Sequence, residues 1–225
     1  MNWGSNCLIG TPNRITLTKT GKLAAEKATA LLQANQQFIT EIKNYAQNQQ
    51  VLKIASVAPG PQIVLEQNLQ KFNANIDIDE ALLDQNNVEK NLLNRKYSAI
   101  ITNREIQTTQ IESRFIGEEN LYVNLDQFMY LANQRQVTFK ELAGLSFVVL
   151  NDIGPWKTII QENIPDAKFL YQTEYDALSE LTKYTSFPFF TTNVTQPNNT
   201  YDTTDTVALP ITDRSAIMTF YVTYL

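Results

Sequence analysis

Hydrophobic positions change period several times along the chain, and the changes mark its elements. Ile15 and Leu17 alternate with Arg14, Thr16 and Thr18 after the turn formers Pro12 and Asn13, which predicts one half-buried strand of a hairpin. Thr18 or Thr20 then caps a helix. Within it Ala24, Ala28, Leu31, Asn35, Phe38, Ile42 and Tyr45 fall at spacings of four and three, the seam one helix offers another. Two destinations stay open for that seam: a second chain, or the protein's own body. A lone exposed helix is the poorest, because its apolar stripe would remain in water.

After this helix the period alternates between strand and helix. A β-branched run at 51–57 ends at Ala58-Pro-Gly-Pro61, and a helix over 62–72, with Pro61 in its first turn, turns Ile63, Leu65, Leu69 and Phe72 inward. A short strand at 76–80, a helix at 88–95 and a buried strand at 97–102 follow. Residues 116–125 read as a strand, and 126–136 as a helix carrying Phe128, Met129 and Leu131. Next come a strand at 145–150, a helix at 156–164 closed by Pro165, a strand at 168–172 and a helix at 175–184. The polar stretch 195–206, with Pro197, Asn198 and Asn199, reads as a surface turn or a second crossover, and strands at 206–210 and 215–224 are expected to return to the first lobe. Alternating β and α predicts open parallel sheets flanked by helices, in two lobes.

Composition narrows the chemistry. The 225 residues, 43% of them hydrophobic, suffice for a sizeable core. The net charge of -5 is uneven: six Lys or Arg stand against two Glu up to Lys53, and twelve against twenty-one beyond it. The body should therefore repel nucleic acid. Histidine is absent, which removes imidazole ligands, Ser-His-Asp and Cys-His pairs and the commonest general base. Cys7 is the single cysteine, so an intrachain disulfide is impossible, and a reduced cytoplasm is the expected setting. No apolar run approaches a membrane span, and the start lacks the regions of a signal peptide that an exported solute-binding protein would need. Seven glycines and no Gly-rich loop speak against a nucleotide fingerprint. The carboxylates are scattered, and the neighbours Glu118 and Glu119, on opposite sides of a strand, read as solvated charges.

Several short motifs occur in a meaningful order. Thr11-Pro-Asn-Arg-Ile-Thr-Leu-Thr-Lys-Thr-Gly21 resembles the wing of the LysR-type transcriptional regulators and the start of their linker helix. Leu52-Lys-Ile-Ala-Ser56 resembles the first strand of that family's sensor domain, Tyr97-Ser-Ala-Ile-Ile101 is similar to its Asp-x-Ala-Ile strand, and residues 139–148 to its Asp-Leu-Ala-Gly segment. The pattern is broken in places. Gly10 stands where the family has an arginine before the wing, and Phe187-Pro-Phe-Phe-Thr-Thr-Asn193 replaces a Gly-rich return strand. About ten residues precede the wing, too few for a helix-turn-helix, and the chain stops at a strand, so it is expected to be trimmed at both ends.

The resemblance implies an α/β fold: a two-lobed, periplasmic-binding-protein-like (type 2) effector domain behind a long linker helix. It implies a wing remnant at 1–20, a linker and dimerisation helix at 21–50, and an effector-binding domain at 51–225, lobe I comprising 51–125 and 194–225 and lobe II 126–193. The expected function is sensing of a small, possibly acidic metabolite between the lobes, with no catalysis and no cofactor. Ser56, Ala58, Pro59, Thr102, Asn103, Asn151 and Thr191 are the candidate effector contacts, and the same polar groups could instead merely satisfy strand ends. Arg14, Lys19 and Lys22 are candidate DNA-phosphate contacts, and Leu31, Phe38 and Ile42 the candidate dimerisation residues. The expected partners are an effector, DNA through the missing winged domain and a second copy or more of the chain, with no membrane. Two other readings share the architecture: a stand-alone solute-binding domain, and a dehydratase-like enzyme, since Ser113-Arg-Phe115 approaches the Thr-Arg-Phe of prephenate dehydratases.

Overall fold

A computed structural model describes residues 7–11, 14–196 and 205–225. The turn residues Pro12, Asn13, Pro197, Asn198 and Asn199 lie outside that set. Strands β1 (Leu8–Thr11) and β2 (Arg14–Leu17) pair antiparallel, from Leu8 opposite Leu17 to Thr11 opposite Arg14. The Thr18 hydroxyl then accepts the Gly21 backbone N-H at 2.9 Å and caps α1 (Lys19–Asn48), a helix of 30 residues. At 1.5 Å per residue it is about 45 Å long.

Up to Ile42 the seam of α1 stays largely exposed rather than packed on the protein's own body. Leu31, Phe38 and Ile42 are 71%, 63% and 55% exposed, and Gly21 is the one buried residue of the helix. What ties α1 to the body is polar and sits at its end. The Asn44 and Asn48 side chains donate to the Asn94 and Arg95 carbonyls, each at 2.8 Å, and the Arg95 guanidinium lies 5.1 Å from the Tyr45 ring centre. Those carbonyls follow α3 (Val88–Leu93), where a helix end leaves acceptors without helical partners.

One continuous sheet path runs through the body: β4 (Ile76–Ile78), β3 (Leu52–Ser56), β5 (Ala99–Thr102), β11 (Ile217–Tyr224), β6 (Glu112–Asp126), β9 (Phe189–Thr192), β7 (Ser146–Leu150) and β8 (Lys168–Gln172). The pairs β3–β4, β3–β5, β7–β8 and β7–β9 are parallel, as alternating strands and helices require. Strand β6 joins the lobes: residues 112–120 pair with β11, and residues 121–124 with β9. Helix α2 (Pro59–Asn68) follows β3, α4 (Trp156–Asn163) follows β7 and α5 (Tyr175–Tyr184) follows β8. The second lobe is stapled by Phe147, stacked on Phe169 and Phe190 with ring centres 5.7 and 4.8 Å apart.

Three details differ from the sequence reading. Helix α2 begins at Pro59, two residues before Pro61, and Phe72 is exposed beyond its end. No α-helix spans 126–136: Asp126 Oδ1 accepts the Phe128 N-H at 2.8 Å, a side-chain turn that ends β6, and only a short 3-10 turn, Tyr130–Asn133, follows. Phe128 and Tyr130 accordingly face solvent. Strand β10 (Thr206–Pro210) pairs with residues 122–126 of β6, the half that also pairs with β9, whereas β11 pairs with residues 112–120. A 15-residue β6 offers an edge in each lobe, and the returning chain takes the second before β11 takes the first.

Candidate ligand-binding cleft

Where β6 passes from one lobe to the other, a cavity of about 370 Å3 opens between α2 of the first lobe and α4 and β9 of the second. That volume suits a small organic ligand. Its walls are mostly apolar, with Ile63, Leu121, Leu150, Ile153, Trp156 and Phe190, and its polar groups include Glu119, Asp152 and Thr191. Among the described residues that line it there is no lysine or arginine.

Glu119 is the group the sequence reading missed. Its side chain points inward from β6, and the residue is only 2% exposed while neighbouring Glu118 is in solvent. Trp156 Nε1 donates to its Oε2 at 3.4 Å, a long bond. The carboxylate also rests against Gly60 in the first turn of α2, closely enough that a methyl group on Gly60 would overlap it. Burial pushes its pKa up, and the hydroxyl of Thr192 and the indole of Trp156 pull it only part of the way back.

The sign of the resulting pH dependence follows. An acid whose folded pKa is raised binds its proton more tightly when folded, so its contribution favours folding at low pH. That contribution falls away as pH rises from the ordinary glutamate value of 4.5 through the raised one. Glu119→Gln should therefore raise the melting temperature near pH 7–8 and flatten its decline above pH 5. Thermal unfolding across pH checks this, and a parallel decline in wild type and variant would contradict it.

The predicted effector residues separate into three groups. Pro59 and Thr191 line the cavity, and the Thr191 hydroxyl accepts from Asn124 Nδ2 at 2.8 Å. Ser56 and Ala58 are buried behind the wall, where Ser56 Oγ donates to the Ala58 carbonyl at 2.7 Å and shapes the turn into α2. Thr102, Asn103 and Asn151 do not line the cavity. Thr102 Oγ1 is held at 2.8 Å by both the Arg104 carbonyl and Thr223 Oγ1, in a buried hydroxyl chain that continues to Ser113. Asn151 is exposed and accepts from Lys157 Nζ at 2.7 Å.

The lobes touch through Gly154. Its φ is +57°, and a Cβ there would stand 2.6 Å from the Val57 carbonyl oxygen and 3.2 Å from Ala58 Cα. Backbone of the second lobe thus lies directly on backbone of the first, beside the cavity.

The other expected sites lie elsewhere. Arg14 is on β2, and Lys19 and Lys22 are exposed at the start of α1, far along the chain from the cavity wall. Among the described residues no helix is long and apolar enough to cross a membrane, and no group of acidic or thiol side chains is arranged to hold a metal.

No protein-family model matches the chain, and no curated protein matches its sequence. Solved structures do match. Full-length OxyR from Pseudomonas aeruginosa superposes over 98% of this chain and 74% of its own with a TM-score of 0.60, at 14% sequence identity. Full-length BenM gives 97% and 75% coverage, a TM-score of 0.56 and 15% identity. CbnR, a LysR family transcriptional regulator, gives 98% and 79% coverage, a TM-score of 0.50 and 13% identity. The fold is that of the LysR-family regulators. The LysR effector domain solved as "BenM effector binding domain with its effector benzoate" covers 77% of this chain and 82% of its own, with a TM-score of 0.54 and 14% identity. The alignment of α1 and the body with full-length LysR chains places the long helix in the same fold as the lobes.

Proposed function

We propose that this chain is the sensing part of a LysR-type transcriptional regulator, binding a small molecule between its lobes and passing the result to paired α1 helices. The observation that carries the reading is the cavity of about 370 Å3 at the junction of β6, α2 and α4, within a fold whose solved neighbours include an effector-bound domain. A molecule filling that cavity would contact both lobes and favour one disposition of them over another. The Asn44 and Asn48 side chains on the α3 carbonyls offer a mechanical link from the first lobe to α1. In this reading residues 21–50 form the linker and residues 51–225 the effector domain, in a homodimer or larger assembly.

Thermal shift against a panel of small metabolites tests the reading. At least one compound should raise the melting temperature saturably. Ile63 faces the cavity from α2, so Ile63→Trp should fill the space and abolish the shift while leaving the fold intact. A shift that survives Ile63→Trp would place the site elsewhere.

Control of transcription further requires DNA recognition. We propose that Arg14, Lys19 and Lys22 are auxiliary phosphate contacts beside a helix-turn-helix domain; a solved neighbour, full-length CbnR, is complexed with its target DNA. Three cations without a recognition helix give weak, sequence-blind binding that fades with salt. Residues 1–225 alone should thus retard DNA only at low ionic strength, and a sequence-specific footprint at physiological salt would contradict this.

A further inference from the structure

The lining of the cleft is electrically one-sided: among the described residues it holds two carboxylates, Glu119 and Asp152, and no lysine or arginine. Glu119 is 2% exposed, and its side-chain partners, the Trp156 indole at 3.4 Å and the Thr192 hydroxyl, are both neutral. A buried carboxylate left so poorly compensated loses hydration that nothing in the chain fully replaces. The N-terminus of α2, the feature that would ordinarily attract an acidic ligand, is occupied: the Glu119 carboxylate rests against Gly60 in its first turn. An anionic effector would meet this carboxylate at close range and find no cation among the lining residues.

We propose that the cleft is built for a small amine, a protonated nitrogen seated at Glu119 with its apolar body against Trp156, Ile153 and Phe190, rather than for an acidic metabolite. The proposal rests on the sensor reading above and names the ligand class for the same cavity. An ammonium group supplies the counter-charge that the neutral partners of Glu119 do not, and the aromatic walls accept a cation as well as an apolar body. Asp152, at the mouth and in solvent, adds attraction for the incoming cation. The raised pKa of Glu119 agrees with this arrangement, because a bound cation would favour the ionised form and release its proton. Glu119 thereby becomes the specificity-determining residue of the cleft.

A matched series with one carbon skeleton and three charges tests it: 2-phenylethylamine, 2-phenylethanol and phenylacetate, measured by calorimetry and thermal shift at pH 8 on wild type, Glu119→Gln and Ile63→Trp. On wild type the amine should bind at least tenfold more tightly than the alcohol, and phenylacetate more weakly than either. Glu119→Gln should cut amine affinity at least tenfold and bring amine and alcohol together. Phenylacetate binding as well as the amine, or an amine preference that survives Glu119→Gln, overturns the proposal. If only the alcohol or the acid binds and Ile63→Trp abolishes it, the amine assignment falls while the sensor reading stands. If no member of the series or of the metabolite panel binds, both fall. Should Glu119→Gln fail to fold, the order of affinities on wild type alone still decides.

Discussion

Replacing Leu31 and Phe38 together with glutamate should turn the protein into a monomer whose lobes remain folded. Both side chains lie on the seam of α1, largely in solvent at 71% and 63% exposure. An exposed stripe on a helix about 45 Å long is stable in water only if another surface covers it. Ile42 and Tyr45 extend the same face toward the body. Burial of a Leu or Phe contributes about 1.5–3 kcal/mol, so losing both on each of two helices should weaken association by well over a hundredfold. Like charges set opposite one another add to the loss. Sedimentation should show the wild type as a dimer or larger species and the variant as a monomer. The melting temperature of the lobes should change little, because the single buried residue of α1 is Gly21. A variant that sediments like the wild type would mean that the body alone holds the copies together.

The second large effect is expected at Gly154. A β-branched side chain at φ +57° strains the backbone by about 1–3 kcal/mol, and here its Cβ would also press on the Val57 carbonyl and Ala58 Cα. Neither obstacle is a flexible side chain that can swing away. Gly154→Val should lower the melting temperature by roughly 4–12 °C for a chain of this size and force the lobes apart at the cavity. Ligand-induced stabilisation should be lost with it. Gly154→Ala carries the same Cβ without the branching and should fall between. A valine variant that melts with the wild type and still binds would show that the Gly154 contact does not set the lobe disposition.

The sequence carried the order of elements well and the site poorly, for different physical reasons. Strand β8 and helix α5 coincide with the periods read from residues 168–172 and 175–184, because each buries one face and local alternation reports it. Residues 126–136 misled because Phe128, Met129 and Leu131 imitate a helical stripe, whereas Asp126 closes a turn and leaves Phe128 in solvent. Placement of β10 depends on which half of β6 has a free edge, which only the folded sheet determines. Glu119 is the instructive case. Its position opposite Glu118 on the strand was legible from the period of two, but its burial was not. That burial depends on Trp156, 37 residues away, and on Gly60, whose missing side chain leaves room for the carboxylate. The candidate contacts drawn from strand ends included Thr102, whose hydroxyl turned out to satisfy a buried chain with Thr223 and Ser113. The signal that would have exposed Glu119 is a carboxylate on the inward side of a strand otherwise lined by Leu121, Val123 and Leu125.

A small molecule seated between the lobes would lie against Trp156, which reports on it directly. Its indole lines the cavity and touches Glu119, and Trp3 is the only other tryptophan in the chain. In a Trp3→Phe background, titration with a compound that stabilises the protein should change Trp156 emission saturably, with the same dissociation constant as the thermal shift. Stabilisation at saturating compound with the Trp156 spectrum unchanged would place the ligand outside the cleft and contradict the account.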